Sequence, residues 1–169
     1  PRPWAQLDRF LIKLVVGYSS REGLTEIVNR TTGTTSSKPE RVMAGEEILE
    51  WRKLVREIHL SPEVKDYAIR IIMATHPHGP YATEMTNKYL GFGASPRGAQ
   101  AIILTSKLQA LLNERWNVSF EDVRAMALPV LRHRSILNFE GEAEGKSTDE
   151  IIASILKDVP ETEKAGVAS

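Results

Sequence analysis

Gly93-Ala94-Ser95-Pro96-Arg97-Gly98 opens a long apolar-periodic run that reaches Glu114. Ser95 is a good N-cap. Pro96 suits the first helical position, where the missing N–H costs nothing. The run reads as a helix with Ala101, Leu104, Leu108, Leu111 and Leu112 on its inward face. Arg97 then falls in the first turn, beside backbone N–H groups with no intrahelical partner. A helix start favours an anion, and acidic residues are the usual choice in its first turn. An arginine there is a planar, permanently charged fork that fits phosphate. The plain alternative is a solvated or carboxylate-paired arginine.

Working outward, the same punctuation recurs. Ser61-Pro62-Glu63 caps a helix to about Thr75, with Val64, Ala68, Ile71 and Ile72 inward. Ser119 to Asp122 is a capping-box-like start for a helix through Val123, Met126 and Ala127 to about Leu131, which Pro129 should kink. Ser147-Thr148-Asp149-Glu150 is a full capping box, with Ile151, Ile152, Ile155 and Leu156 inward. Glu46 to Ile58 carries Ile48, Trp51, Val55 and Ile58 on one stripe. Trp116 to Val118 and Ser135 to Phe139 suggest a small two-strand pairing. Residues 46–160 therefore read as a compact helical bundle, and 161–169 as a frayed tail.

Upstream the pattern changes. Phe10 to Val16 is a short, branched apolar run that reads as a buried strand, and Ser20 to Arg30 as a helix with Leu24, Ile27 and Val28 on one face. One strand and one helix cannot enclose a core, so residues 1–30 read as the trailing end of a larger α/β unit. Thr31 to Pro39 contains no apolar residue, which makes 31–45 a polar linker.

Composition narrows the function classes. The 169 residues carry 22 Lys and Arg against 22 Asp and Glu, so net charge points neither to nucleic acid nor to a membrane. The balance hides a gradient. Residues 61–135 hold nine basic and six acidic side chains, and 136–169 hold three and eight. The lack of cysteine excludes disulfides, thiolate metal sites and cysteine nucleophiles. No 18-residue apolar window and no signal-peptide pattern occur, which points to a cytoplasmic protein without membrane contact. The chain opens at Pro1-Arg2-Pro3 with no methionine, as a processed or excised piece would.

Several motifs tempt and fail. Gly141 to Ser147 resembles a phosphate-binding loop, but it has three residues between its glycines where four are needed, and two of them are glutamates. Gly91-Phe92-Gly93 begins a dinucleotide fingerprint that Pro96 breaks. His76-Pro77-His78 has no nearby Cys or acidic partner and reads as a surface turn, so no metal site is expected. Arg132-His133-Arg134 is a compact basic knot, equally suited to phosphate and to ordinary ion pairing. With Arg115 and Arg124 it supports a second reading, a non-enzymatic helical adaptor or nucleic-acid-binding module that would need one continuous basic face.

Taken together and in order, three segments resemble a known family. Ala5-Gln6-Leu7-Asp8-Arg9-Phe10 is similar to the motif that ends the core domain of MoxR-family AAA+ ATPases. Gly93 to Arg97 resembles the sensor 2 motif of that family. Val118 to Val123, followed by Leu131-Arg132-His133-Arg134, resembles the end of its helical lid. The resemblance covers about residues 3–160. Trp4 and Ser19 depart from the family's pattern.

The resemblance implies a mainly α fold: a helical-bundle AAA+ lid preceded by one strand and one helix left over from an α/β core. It implies ATP and Mg²⁺ in the intact protein, a homo-oligomeric ring of six subunits, and chaperone-like remodelling or maturation of partners, among them proteins with von Willebrand A-type domains. Nucleic acid is not a favoured partner. By position Arg9 matches the arginine finger, and Arg97, with Ser95 and Pro96, matches sensor 2. The nucleotide loop, the Mg²⁺-holding acidic strand and sensor 1 lie upstream in that family and are not in these 169 residues. The chain alone is therefore expected to hold no nucleotide and to catalyse nothing.

Overall fold

The computed structural model describes residues 6–34 and 38–162. Trp4 and most of the expected frayed tail lie outside the described residues. By its contacts the chain divides into two units, one holding the chain up to Lys13 together with Lys53 onward, the other holding Leu14–Arg52.

The larger unit is mainly helical with a two-stranded sheet. Its full helices are Pro62–Ala74 (α3), Glu84–Tyr89 (α4), Pro96–Leu112 (α5), Phe120–Leu131 (α6), Phe139–Ala143 (α7) and Thr148–Asp158 (α8). Local chemistry sets their starts. Ser61, Thr83, Ser95, Ser119, Asn138 and Ser147 are all N-caps in extended conformation, each accepting a backbone N–H of the first turn. Ser119 and Asp122 form the reciprocal box. Pro129 lies inside α6, which nevertheless runs on to Leu131.

The core lies where α5 meets α6, α3 and, through α6, α8. Tyr67, Ala68, Ile71, Ile102, Ala127, Leu131, Ile151 and Ile155 are sealed from solvent. Burying a leucine-sized side chain contributes about 1.5–3 kcal/mol, so this cluster dominates the unit's stability. Phe120 stands edge-on to the Tyr67 ring at 5.4 Å.

The face of α5 differs from the expected one. Gly98, Ala101, Ile102, Thr105, Ser106 and Ala110 are buried, whereas Leu108 and Leu112 are exposed. The helix is apolar on most sides, so packing distance selects its face. Small residues let α3 approach closely, and a Cβ on Gly98 would stand 3.3 Å from Ile72 Cδ1.

Two strand expectations are corrected. Ser135 to Phe139 does supply a strand, Ile136–Leu137 (β2), but its antiparallel partner is Leu90–Phe92 (β1). The Trp116–Val118 segment instead makes one isolated parallel bridge, with Asn117 opposite His59. Phe10 to Val16 is not a strand. It is irregular and exposed, with a bend at Phe10 and Leu11 and no ladder partner among the described residues. A strand needs a neighbouring edge, and here the carbonyls of Asp8, Phe10, Leu11 and Lys13 bond to side chains of the 132–134 segment instead.

The smaller unit contains Arg21–Thr32 (α1) and the greater part of Gly45–Glu57 (α2). Ser20 caps α1, and Glu26 pairs with Arg30 one turn on. No residue of α1 is buried, Leu24, Ile27 and Val28 included. Thr31 and Thr32, expected in the linker, finish this helix, and their hydroxyls donate to the Ile27 and Val28 carbonyls. On the expected α2 stripe Ile48 and Trp51 are exposed, Val55 is half-buried, and Ile58, just beyond the helix, is buried.

Candidate functional site

The start of α5 is built as the sequence implies. Ser95 is the N-cap, Pro96 occupies the first turn, and Ser95 Oγ accepts the Arg97 N–H at 3.2 Å. The same hydroxyl donates to the Asp8 carboxylate, at 3.0 and 2.9 Å from its two oxygens. Arg97 Nη1 stands 3.3 Å from Asp8 Oδ2. An oxyanion thus already sits at this helix start, and it comes from the residue next to Arg9.

Arg9 itself is exposed, in a turn closed by Arg9 N–H to Gln6 O (3.4 Å) and Phe10 N–H to Leu7 O (3.0 Å). Its guanidinium has no partner among the described residues. Arg97 is also largely free, with 59% of its side chain in solvent. The fold therefore brings the two arginines picked out by motif to one end of the larger unit, linked through Asp8.

Asp8 holds a third arginine. Arg134, with only 2% of its side chain exposed, places Nε 3.3 Å from Asp8 Oδ1. Its Nη2 donates to the carbonyls of Asp8 (3.1 Å) and Phe10 (2.6 Å), and its Nη1 to those of Leu11 (3.1 Å) and Val130. Arg132 reaches Lys13 O at 3.3 Å, and Lys13 N–H donates to Pro129 O at 2.8 Å. Residues 8–13 form a strap laced to the end of α6 by guanidinium groups.

His133 completes the lacing. Its Nε2 is 3.0 Å from Phe10 O and 2.9 Å from Arg134 Nη1, while Nδ1 is buried without a partner. A proton on Nε2 satisfies Phe10 O and leaves only an acceptor unpaired, the cheaper arrangement for a neutral ring. Burial pushes the imidazole below its ordinary range. The charges of Arg134 and Lys13 push the same way, against Phe10 O and Asp8. Burial also pushes Arg134 down, opposed by Asp8, though an arginine stays charged.

A pocket of about 280 Å³ opens at this cluster, lined by Asp8, Ser95, Arg97, His133 and Arg134 together with Phe92 and Ile136. Sequence reasoning found Arg97, Ser95, Pro96 and Arg9 but missed Asp8 as the hub and Arg134 as a buried clamp. The available signal was the basic run Arg132-His133-Arg134 directly after the apolar end of α6.

The rival basic surface does not form. Arg115 makes a forked pair with Asp122, and Arg124 reaches Glu161 and the Tyr67 hydroxyl. Arg132 forks onto Asp149, and Arg134 faces Asp8. Burial alone would raise Asp122, but Arg115 and the Ser119 N–H and hydroxyl outweigh it and hold the carboxyl below its usual range. Every member of the proposed basic set is thus matched by an acid.

The other motifs settle similarly. His76 Nε2 lies 2.9 Å from Ala94 O, and no cluster of His, Asp or Glu among the described residues could hold a metal. Gly141 sits inside α7, and Lys146 lies over the Tyr89 ring. No helix among the described residues is long and apolar enough to cross a membrane.

Residues 82–155 match the AAA lid domain. The chaperone MoxR1 of Mycobacterium tuberculosis is 31% identical over 159 residues, covering 94% of this chain and 42% of that protein. YeaC of Bacillus subtilis, an uncharacterised protein, is 31% identical over 160 residues, covering 94% and 47%. A crystal structure of a candidate ATPase from Cytophaga hutchinsonii superposes with a TM-score of 0.88 at 33% identity, covering 97% of this chain and 50% of that one. The chain spans about half the length of the relatives it matches.

Proposed function

We propose, from the premise that this is a MoxR-like AAA+ chain whose residues 82–155 are the AAA lid domain, that it is the C-terminal part of an ATPase that remodels or matures partner proteins. The observation that carries the reading is the contact of Arg97 with Asp8, which sets Arg97 beside the turn that carries Arg9. Arg97 at the α5 start and Arg9 one residue from Asp8 form a pair of exposed guanidinium groups at one end of the larger unit.

In this reading Arg9 is the arginine finger and Arg97 is sensor 2. AAA+ kinship implies ATP and Mg²⁺ in the intact protein. The donor set here fits the γ-phosphate end of that nucleotide, since Ser95 and Arg97 already bind a carboxylate. Bound Mg·ATP supplies the phosphoryl group that is transferred to water. Arg97 and the α5 start hold a phosphate oxygen in place. Arg9 offers its donors without first giving up a protein partner among the described residues. Phosphoryl transfer depends mainly on positioning and charge neutralisation, so such groups are worth several orders of magnitude in rate. The kinship also supports a homo-oligomeric ring, six subunits in our reading, and clients with von Willebrand A-type domains.

The test is steady-state ATPase kinetics of the longer protein. Arg97→Ala should lower kcat by about 10- to 1000-fold with the lid still folded. In mixed rings an Arg9→Ala subunit should silence its neighbour's site and keep its own. Wild-type kinetics in Arg97→Ala, or no effect across subunits in mixed rings, would sink these assignments. The 169-residue chain alone should show no turnover.

A further inference from the structure

We infer that Asp8 is a positioning residue that fixes Arg9 and Arg97 as one unit, with Arg134 as its buried anchor. The inference rests on the phosphate-contacting reading of those two arginines, and it assigns a role to residues outside that reading.

The argument starts from charge. Asp8 is mostly shielded, with 17% of its side chain exposed; Ser95 Oγ and Arg97 Nη1 donate to its carboxylate, and Arg134 Nε faces Oδ1 at 3.3 Å as an ion pair without a hydrogen bond. One side of the carboxylate is therefore tied to the α5 start and the other to the end of α6. Arg134 then takes the carbonyls of Asp8, Phe10 and Leu11, which bracket Arg9 on both sides. The backbone that carries Arg9 is held by a guanidinium that cannot lose its charge and has almost no solvent to turn to. Ordinary capping of α5 needs only Ser95. A carboxylate shared among two arginines and the cap does more, since it sets the distance between the residue at position 97 and the turn at 8–10.

A phosphate approaching Arg97 meets a guanidinium whose near side is already occupied by Asp8. With Nη1 tied to Asp8, fewer orientations are open to the Arg97 guanidinium. Removing the Asp8 charge leaves both arginines present but unaligned. Misplacement on the order of 1 Å can cost about 100-fold in rate without changing what is bound. The expected signature is therefore a loss in kcat with little change in KM.

The experiment is a double-mutant cycle in the longer ATPase, with melting followed in parallel. Asp8→Asn keeps the shape and can still accept from Ser95. It should lower kcat about tenfold and shift KM for ATP by less than about twofold. In an Arg9→Ala background the same change should add almost nothing, because residues acting as a unit are strongly non-additive. Asp8→Glu, which restores the charge, should recover part of the lost kcat and covers the case in which Asn impairs folding. Unchanged kcat in Asp8→Asn, full additivity with Arg9→Ala, or no recovery in a folded Asp8→Glu protein would overturn the inference. If Arg9→Ala and Arg97→Ala themselves leave kcat unchanged, the phosphate reading fails first and takes this one with it.

Discussion

Arg134→Met should release the strap without unfolding the helices. Methionine matches the stem in length and apolar character but offers no donor. Three strap carbonyls lose a bond: those of Asp8 at 3.1 Å, Phe10 at 2.6 Å and Leu11 at 3.1 Å. At about 1 kcal/mol net for each, the loss is about 3 kcal/mol, or about 100-fold in the opening equilibrium. A lifted strap regains water at those carbonyls, so no larger desolvation penalty follows. Within the lid the change is smaller, because a buried guanidinium carries its own desolvation cost and methionine does not. The assay is native-state hydrogen exchange at the Lys13 amide, which donates to Pro129 O at 2.8 Å and does not touch Arg134. Its protection should fall about 100-fold while amides in the middle of α3 keep theirs. If Lys13 exchange is unchanged and the α3 amides speed up, Arg134 supports the core and the lacing account is wrong.

Two further outcomes follow from the same geometry. Because burial and the Arg134 and Lys13 charges lower the His133 imidazole from its usual 6.5, the protonated form is favoured when the ring is released. Stability from the neutral ring is thus complete above pH 6.5 and is lost as pH falls below it, so the denaturant midpoint should drop as the solution is acidified from pH 6.5, and His133→Phe should flatten that slope. Gly93→Ala places a Cβ 2.5 Å from Thr75 O and 2.7 Å from Thr75 Oγ1, and that hydroxyl is pinned between Ile72 O and the Ala94 N–H. The expected cost is about 2 kcal/mol in denaturant unfolding, and a neutral result would contradict the packing of α3 against the turn before α5.

The helix starts were legible because their chemistry is local. Ser61, Ser95, Ser119 and Ser147 each bind an N–H within three residues, and four residues suffice to see that. The candidate site was half legible. Arg97 sits in a cap with a recognisable signature, but Asp8 and Arg134 acquire their roles from contacts across more than 120 positions. The Phe10 to Val16 run has the composition of a buried strand, yet composition does not supply an edge to pair with. The partner of β2 was misassigned for the same reason, since pairing of Leu137 with Leu90 depends on how α5 and α6 fold between them. Arg132 and Arg134 look alike in sequence. Two positions of offset in the turn after α6 send the first to Asp149 near the surface and the second into the interior.

The strap and the helices it binds are joined through residues 14–52, which group together as a separate unit. That link makes docking of the strap unimolecular. A covalent tether of such length keeps its end at an effective concentration on the order of millimolar. At about 1 kcal/mol for each of its hydrogen bonds the docked strap is held by about 6 kcal/mol, a bimolecular dissociation constant of about 40 μM, so it is nearly saturated at a millimolar effective concentration and mostly open at micromolar protein. A single cut between α1 and α2 would therefore let the strap drift away at micromolar protein, carrying Arg9 with it. Continuity of the polymer, more than the strength of any one bond, is what keeps Arg9 in the neighbourhood of Arg97.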